Sequence, residues 1–416
     1  MRYQSRIIDQ ELEMQLRAAG AVLVRGPKGC GKTETGRYHC KSEVDIDESP
    51  AIMTAMQSDP VLLLAGKVPR LIDEWQEQPV LWNTVRHEVD RRQEKGQFVL
   101  TGSSNPEETA KLHSGAGRFG VVRMQTMSWF ERGWSSGEVS LKNLLAGDSA
   151  TSGEVPVDVQ SIARRMVIGG LPVNLGLDED AASLNMENYF DLLCEVDMSR
   201  VSNRRRDPVK VRRTLQSIAR NVATEAPVSR IVADIGEENG TAGEKTVREY
   251  LDALERLMII EDLPAWKPHI RTRARLRGVR KRHLADPSLA AAALALNSGH
   301  LVKDLEYLGF LFESQAIHDL RVYASALRGK VFHYRDSNGV EADAIVELRD
   351  GSWAAFEVKL GIGGAEDGAR SLLKVRDTVD TSKVGNPLAL VVITGSGIAH
   401  RRKDGVYVIP LATLKP

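Results

Sequence analysis

The chain has 416 residues, which is enough for two or three domains with separate cores and excludes a single small module. Its 42% hydrophobic and 27% charged residues are ordinary for a globular protein and exclude a wholly disordered chain. Because 56 Lys and Arg residues balance 56 Asp and Glu residues, any surface for nucleic acid must come from local clusters of basic side chains.

Cysteine usage and hydropathy predict a cytoplasmic protein with no membrane partner. The three cysteines, Cys30, Cys40 and Cys194, are too few for a disulfide framework, and their odd number would leave one unpaired. This indicates a reducing compartment. The N-terminal residues contain no apolar signal segment. The longest apolar stretch, 289–296, is far shorter than the roughly 20 residues that span a bilayer.

Short apolar runs alternate with helical patterns in the first part of the chain, which predicts βα units and a parallel sheet. The runs occupy residues 21–24, 70–72, 98–100 and 121–122. Residues 134–159 are rich in Gly, Ser and Asp and predict a connector that contains at most one short helix.

The middle of the chain is mainly helical, and a second α/β unit follows it after a basic stretch. The clearest helical segments of the middle are 209–224, 228–235 and 244–258. Further helices are predicted at 288–296, 301–323 and 365–378, and strands at 331–335, 340–348, 353–360, 388–394 and 406–410.

A phosphate-binding loop follows the first predicted strand and precedes a helical pattern, which is the context that such a loop requires. The match to G-x-x-x-x-G-K-[ST] predicts ATP binding by Gly26, Pro27, Lys28, Gly29, Cys30, Gly31, Lys32 and Thr33. We expect the lysine to reach the β and γ phosphates and the threonine to bind Mg²⁺ at the helix N-terminus. The loop cysteine could be a redox switch, but a small filler side chain is the favoured interpretation.

Acidic and hydroxyl side chains end the later strands of this first sheet. Asp73 could hold the Mg²⁺ shell while Glu74 polarises the attacking water, although two acids ending a strand are commonly just solvated. Ser103 could sense the γ phosphate, or could belong to an ordinary turn. Arg118 could be an arginine finger supplied in cis or by a neighbouring subunit, or an ordinary surface arginine.

These motifs together resemble the bacterial and archaeal AAA-type ATPases fused to a C-terminal domain of unknown function with a restriction-endonuclease-like end. The resemblance covers almost the whole chain and also includes GGLP at 169–172 and LADPSL at 284–289. It implies a P-loop ATPase with a winged-helix middle, and it implies little about biological role.

The middle region also contains a helix-turn-helix candidate followed by a basic stretch. Helices at 228–235 and 244–254 flank a turn through Asn239 and Gly240, and 259–266 resembles a wing strand. The predicted nucleic-acid-binding residues are Arg271, Arg273, Arg275, Arg277, Arg280, Lys281 and Arg282, and Lys267 precedes them. The module could instead be a lid on the ATPase, and the basic run a solvated face or a subunit contact.

Two carboxylates and a lysine are predicted to share one face of a β-hairpin near the C-terminus. Glu357 and Lys359 are two residues apart, so on a strand they project from the same face. A two-residue turn would pair Asp343 with Val358, whereas a three-residue loop with a left-handed Gly351 would pair it with Glu357. The second register assembles the pattern of PD-(D/E)xK nucleases, in which the carboxylates hold Mg²⁺ and the lysine acts on the attacking water or the phosphorane.

Glu313 lies at the edge of an apolar helical stripe and could be a further metal ligand or a paired surface glutamate. The D-x₁₃-E-x-K spacing is weak by itself, and the surrounding strands and helices favour a nuclease-like fold. Folds of this kind lose catalysis readily, so cleavage stays open.

We therefore predict an α/β protein with an N-terminal P-loop (AAA-type) parallel sheet, a helical winged-helix middle and a C-terminal restriction-endonuclease-like domain. The predicted regions are an ATPase core at 1–133, a connector and helical lid at 134–208, a winged-helix-like module at 209–283 and a nuclease-like domain at 284–416.

The predicted function is Mg²⁺-dependent hydrolysis of ATP coupled to binding of nucleic acid, with DNA favoured. Metal-dependent cleavage by the C-terminal domain is open. A nucleotide-dependent switch that binds DNA or protein without cleaving is the alternative, and an assembly ATPase whose basic stretch is a subunit interface is the third interpretation. A homo-oligomer is possible, because an arginine finger in trans requires one.

Overall fold

The computed structural model describes residues 3–46, 52, 54, 58–102, 115–148, 150–198, 206–236, 243–267 and 279–416. The chain forms two compact units. The first contains Met1–Thr126 with the short segments Leu171–Val173 and Arg256–Met258, and the second contains the rest. The three predicted regions after the ATPase core therefore share one unit, and their subdivision stays a prediction.

The first unit is built on a parallel sheet of five strands in the order β2-β3-β4-β1-β5. Its strands are β1 (Ala21–Arg25), β2 (Ser42–Asp45), β3 (Arg70–Asp73), β4 (Phe98–Gly102) and β5 (Phe119–Arg123). The predicted runs form β1, β3, β4 and β5, because continuous apolar runs suit strands that are covered on both faces. Strand β2 was missed, since its sequence SEVD contains a single apolar residue.

Helices α1 (Asp9–Ala18), α2 (Lys32–His39) and α3 (Val80–Arg92) belong to the first unit. Leu81, Val85 and Val89 of α3 lie on one helical face and pack into a core with Phe98 and Leu100 of β4. This core also contains Ala21 and Leu23 of β1, the strand that leads into the loop before α2.

A loop-rich segment and two helices open the second unit. The segment contains the short helix α4 (Leu141–Leu145) and the two-residue strands β6 (Val139–Ser140) and β7 (Glu154–Val155), which agrees with the predicted connector. Helices α5 (Val159–Ile168) and α6 (Glu179–Leu192) follow. Asp158 and Asp178 cap them by accepting backbone N–H bonds.

Three helices and an extended pair of segments form the middle of the second unit. The helices are α7 (Pro208–Arg220), α8 (Val228–Gly236) and α9 (Glu244–Arg256). After α9, Ile260 pairs with Leu284 and Leu263 pairs with Lys281 in isolated antiparallel bridges. Residues 259–266 and 279–285 thus form two antiparallel segments, and residues 268–278 between them lie outside the described residues.

Helices α10 (Pro287–Ala293), α11 (Ser298–Lys303) and α12 (Leu305–Ala326) come next. The prediction of one helix over 301–323 was wrong at its start. Asp304 ends α11 and caps α12, because its side chain accepts a hydrogen bond of 3.0 Å from the N–H of Tyr307.

The C-terminal sheet has six strands in the order β13-β14-β11-β10-β9-β8. Its strands are β8 (Lys330–Arg335), β9 (Glu341–Glu347), β10 (Trp353–Lys359), β11 (Leu390–Thr394), β13 (His400–Arg401) and β14 (Tyr407–Pro410). Strand β10 pairs antiparallel with β9 and parallel with β11.

Helix α13 (Ala365–Thr378) packs into the core of this sheet through Ala369, Leu372 and Val375. The short helix α14 (Thr381–Val384) follows α13. Strands β12 (Gly397–Ile398) and β15 (Leu414–Lys415) pair with β7 and β6. None of the helices in the described parts of the chain is both long and apolar enough to cross a membrane.

Candidate functional site

The phosphate loop joins the carboxyl end of β1 to the N-terminus of α2. Two of its glycines are required by its geometry. Gly31 has φ of 102°, a left-handed conformation that other residues rarely adopt. A Cβ on Gly26 would lie 2.2 Å from the carbonyl oxygen of Met124, so no larger residue fits there. The loop therefore keeps its backbone close to the space where phosphates bind in such motifs.

Lys32 and Cys30 have different roles within this loop. The Lys32 ammonium donates hydrogen bonds to the carbonyl oxygens of Gly26 (3.0 Å) and Pro27 (2.9 Å), so it lies inside the curve of the loop. The Cys30 side chain is fully buried and packs in an apolar cluster with Val24 and other core residues. This burial favours the filler interpretation, and the three cysteines carry free thiols.

Arg6 is a residue at this loop that the sequence reasoning missed. Its guanidinium donates one hydrogen bond to the Cys30 carbonyl and one to the Gln125 carbonyl, each 2.8 Å long. Arg6 is 8% exposed, so the bond to Cys30 is buried and the bond to Gln125 is partly buried. Arg6 thereby links the phosphate loop to the segment that follows β5.

We expect Arg6→Ala to lower ATP affinity about tenfold, because it removes charge-assisted hydrogen bonds of about 1.5–3 kcal/mol that hold the loop. Titration with a fluorescent ATP analogue measures the effect. Arg17→Ala is the matched control, since Arg17 is exposed on α1. Equal affinity in the wild type and Arg6→Ala would contradict a role for Arg6 in shaping the loop.

The carboxylate of Asp73 lies at the end of β3 and joins two hydroxyl groups. Thr33 donates to its Oδ1 over 3.1 Å, and Thr101 at the end of β4 donates to the same oxygen. Asp73 is 5% exposed, so these donors compensate for its burial. Thr101 was missed, although its place at the end of a predicted strand was the available signal.

Glu74 follows Asp73 directly and adopts a left-handed conformation, with φ of 49°. Its carboxylate accepts a hydrogen bond from the Gln76 carboxamide. Burial raises the pKa of Glu74 above its ordinary value, against the opposing effect of the Gln76 bond. A partly buried carboxylate of raised pKa beside the phosphate loop has the chemistry of a general base.

The other two predicted residues of this site have different outcomes. Ser103 lies outside the described residues. Arg118 does not support the prediction of an arginine finger in cis. Its carbonyl accepts from Ala21 at the start of β1, whereas the phosphate loop follows the end of that strand, about 15 Å away at the spacing of a strand. Its guanidinium pairs with Asp90 at 2.6 Å.

The predicted nucleic-acid-binding residues divide into three groups. Those outside the described residues are Arg271, Arg273, Arg275 and Arg277. Arg280 is exposed and lies 3.7 Å from Glu255. The structure does not support nucleic-acid binding by Lys281 and Arg282. Their side chains are 13% and 12% exposed and bind buried carboxylates instead of facing solvent.

The hairpin of β9 and β10 has the three-residue loop, which is one of the two alternatives that the sequence left open, with Gly351 at φ of 86°. Trp353 pairs with Glu347 and Phe356 pairs with Ala344. Continuation of this register puts Glu357 opposite Asp343, and the Asp343 carboxylate accepts a hydrogen bond of 2.9 Å from the N–H of Val358. The predicted shared face of Asp343, Glu357 and Lys359 is therefore present.

A lysine from the extended hairpin lies among these carboxylates. The Lys281 ammonium is 2.8 Å from Glu313 on α12 and 3.0 Å from Asp343 on β9. Lys359 donates to Glu357 over 2.8 Å. The predicted metal ligands Glu313, Asp343 and Glu357 are therefore paired with lysines. Within the described ranges, no three His, Cys, Asp or Glu side chains are arranged to hold a metal ion.

The acid–lysine cluster, defined as Glu313, Asp343, Glu357, Lys281 and Lys359, contains one more carboxyl than ammonium groups. Burial, followed by the charge of Asp343, raises the pKa of both Glu313 and Glu357 to about 8. Although burial opposes it, the carboxylates of Asp343 and Glu313 hold the pKa of Lys281 above its ordinary value. One proton shared by the glutamates would balance the cluster near neutral pH.

Raised glutamate pKa values give the cluster a defined pH dependence. The folded protein binds a proton more tightly than the unfolded chain, so this contribution to stability is complete below about pH 4.5 and is lost as pH rises through about 8. We expect the wild type to lose stability relative to Glu357→Gln between about pH 5 and 9. Thermal unfolding across this range measures the difference, and a constant difference would contradict the raised pKa.

Three family comparisons divide the chain along its length. Residues 18–132 match the AAA domain family. Residues 159–300 match a domain of unknown function, DUF8612, and residues 308–414 match another, DUF4143. The part of the chain that is similar to the AAA domain family contains the phosphate loop and the five-stranded parallel sheet of the first unit.

Relatives and a solved structure show similarity over much of the chain. An uncharacterized protein of Mycobacterium tuberculosis and one of Mycobacterium bovis are each 25% identical over 357 residues, which is 84% of this chain and 72% of each relative. The Walker-type ATPase of Pyrococcus abyssi is similar in structure, with 13% identity and a TM-score of 0.41 over 69% of this chain and 94% of that chain.

Proposed function

We propose that the protein hydrolyses ATP with Mg²⁺ and couples the nucleotide state to nucleic-acid binding. The contact between the Thr33 hydroxyl and the Asp73 carboxylate beside the phosphate loop carries the first part of this proposal. These are the oxygen ligands that Mg²⁺ takes in P-loop ATPases, and their separation of 3.1 Å fits a shared ion. The donor set therefore fits the group that the motif implies.

Each residue at the loop has a distinct task in this proposal. Lys32 exchanges the carbonyls of Gly26 and Pro27 for the β and γ phosphates, because anionic oxygens bind an ammonium more strongly than carbonyls do. Thr33 and Asp73 would hold the Mg²⁺, which would neutralise charge on the phosphates. Glu74 accepts a proton from the attacking water after its carboxylate leaves Gln76.

Two substitutions separate binding from hydrolysis. Lys32→Ala should abolish ATP binding, whereas Glu74→Gln should keep binding and lose about 100-fold or more in turnover, because only the proton acceptor is removed. Equilibrium binding and steady-state phosphate release measure the two effects. Glu77→Gln is the control, since Glu77 is exposed in the same segment. Normal turnover in Glu74→Gln would remove this residue from the mechanism.

The nucleic-acid part of the proposal is supported by the arrangement after α7. Three helices are followed by an antiparallel hairpin, which is the element order of a winged-helix module. The sequence between the two paired segments contains the arginines at 271–277 and no acidic residue. A basic sequence without aromatic residues favours contacts with phosphates over contacts with bases.

Replacement of Arg273, Arg275 and Arg277 by Ala should weaken DNA binding and flatten its salt dependence by roughly three units of log K per log salt. Fluorescence anisotropy with duplex and single-stranded DNA over a range of salt measures the slope. The control variant removes three exposed charges elsewhere, at Arg349, Lys374 and Lys403. An unchanged slope in the arginine variant would move the interface to another surface.

The C-terminal domain is nuclease-like in this proposal, and the acid–lysine cluster favours a switch that does not cleave while Lys281 stays in place. The helix α12, the strands β8, β9 and β10, the helix α13 and the parallel β11 follow the element order expected for a restriction-endonuclease-like core. Cleavage would require a divalent cation at Asp343 and Glu357 with Lys359 beside it. Lys281 now neutralises Asp343 instead.

A further inference from the structure

Two arginines lie over the ring of Trp134 in the second unit. The guanidinium carbon of Arg132 is 4.3 Å from the centre of this ring, and that of Arg165, in the last turn of α5, is 5.6 Å from it. Arg165 also lies 4.7 Å from the ring of Trp129. The two rings meet edge to face, with their centres 6.4 Å apart. Two positive charges therefore share one aromatic surface.

The hydrogen bonds that hold the two guanidinium groups go to carbonyl oxygens. The N–H of Trp134 donates to the Trp129 carbonyl over 2.8 Å, which closes a turn between the two rings. Arg165 reaches this turn from α5 and donates to the Trp134 carbonyl over 3.2 Å. Arg132 donates to the Asn174 carbonyl over 3.4 Å. Each guanidinium is thus positioned by a group that carries no net charge.

The positive charge of Arg165 has no carboxylate within ion-pair distance among the residues that the structure describes. Burial lowers the pKa of Arg165 to about 10, and the charge of Asp158 opposes this shift only in part. Burial also lowers the pKa of Arg132, against the charge of Asp286. Apart from the nitrogen that binds the carbonyl, the guanidinium nitrogens of Arg165 are not buried, so they can receive a ligand from solution.

We propose that Arg132 and Arg165 bind a dianionic phosphate group, as in inorganic phosphate or a phosphate monoester. A guanidinium presents paired N–H groups in one plane, and these match two phosphate oxygens. A phosphate monoester carries about 1.5 to 2 negative charges at pH 7, so one such group balances both arginines, whereas a carboxylate balances one. Since both guanidinium carbons lie close to one ring, a single ligand at the edge of that ring can reach both.

The proposal goes beyond ATP hydrolysis and nucleic-acid binding and needs neither of them. Its residues belong to the second unit, whereas the phosphate loop belongs to the first. The aromatic surface orders the guanidinium groups before a ligand arrives, which lowers the entropic cost of binding. A nucleotide and the 5′-phosphorylated end of a nucleic acid both carry such a phosphate monoester, and the arginines recognise the chemistry that these two sources share.

Binding of inorganic phosphate to the full-length protein with Lys32→Ala tests the site, because this change removes the lysine of the phosphate loop. Tryptophan fluorescence reports binding, and chloride keeps the ionic strength constant. In this background, we expect Arg165→Met to weaken phosphate binding at least about tenfold, because charge-assisted hydrogen bonds are lost. Arg164→Met is the matched control, since Arg164 is the neighbouring arginine of α5 and its side chain is 59% exposed.

Two further variants keep the test decisive where Arg165→Met fails to fold. Arg165→Lys retains the positive charge but lacks the planar pair of donors, so we expect it to fold and to bind phosphate more weakly. Arg132→Met should also weaken binding. Phosphate should raise the unfolding temperature of the background protein more than that of either variant. Equal phosphate affinity in the background protein and in both variants would overturn the proposal.

AMP and two oligonucleotides, one with a 5′-phosphate and one with a 5′-hydroxyl, distinguish the sources of the phosphate. Binding of AMP that depends on Arg165 assigns the site to a nucleotide. A preference for the 5′-phosphorylated oligonucleotide that Arg165→Lys removes assigns it to a nucleic-acid end, and a response to inorganic phosphate alone assigns it to that ion. Absence of any response that depends on Arg165 contradicts the site, whereas ATP turnover with Lys32 intact tests the ATPase proposal independently.

Discussion

The carboxylate of Asp73 is almost fully buried at the end of a parallel strand, where burial without donors would be strongly unfavourable. Hydroxyl groups from α2 and β4 supply those donors, so the start of the helix and the end of the neighbouring strand are held by one side chain. The phosphate loop lies between β1 and α2, so these contacts hold its C-terminal end. Arg6 holds the same loop through the Cys30 carbonyl. Hydrogen bonds within the protein therefore position the loop without any contact to phosphate.

The second unit compensates its buried carboxylates with lysines. Neutral hydroxyls can satisfy one carboxylate, but the three acids of the acid–lysine cluster repel one another and need positive charge. Lys281 and Lys359 supply two charges for three carboxyls, and burial together with the charge of Asp343 raises the pKa values of Glu313 and Glu357. Such a deficit makes the contribution of the cluster to stability depend on pH.

The local rules of the sequence predicted those parts of the sites that depend on neighbouring residues. The glycine pattern indicated the phosphate loop, and the left-handed Gly351 belonged to one of the two hairpin registers left open, the one that puts Asp343 opposite Glu357. Each of these features is decided within a few residues. The contacts that were missed join distant segments. Arg6 and Gln125 are 119 residues apart, and Lys281 and Asp343 are 62 apart. The sequence analysis counted Lys281 among the exposed basic residues, because its burial depends on contacts with residues far along the chain.

The placement of Lys281 also changes what the basic stretch means. As a run of sequence, residues 267–282 are uniformly basic, but the described residues near the end of this run lie in different surroundings. Lys281 and Arg282 pair with Asp343, Glu313 and Asp262 and add little to the attraction for phosphates, whereas Arg280 is exposed. A count of basic residues therefore overestimates the charge that this stretch offers to a polyanion, because pairing with buried carboxylates neutralises part of it.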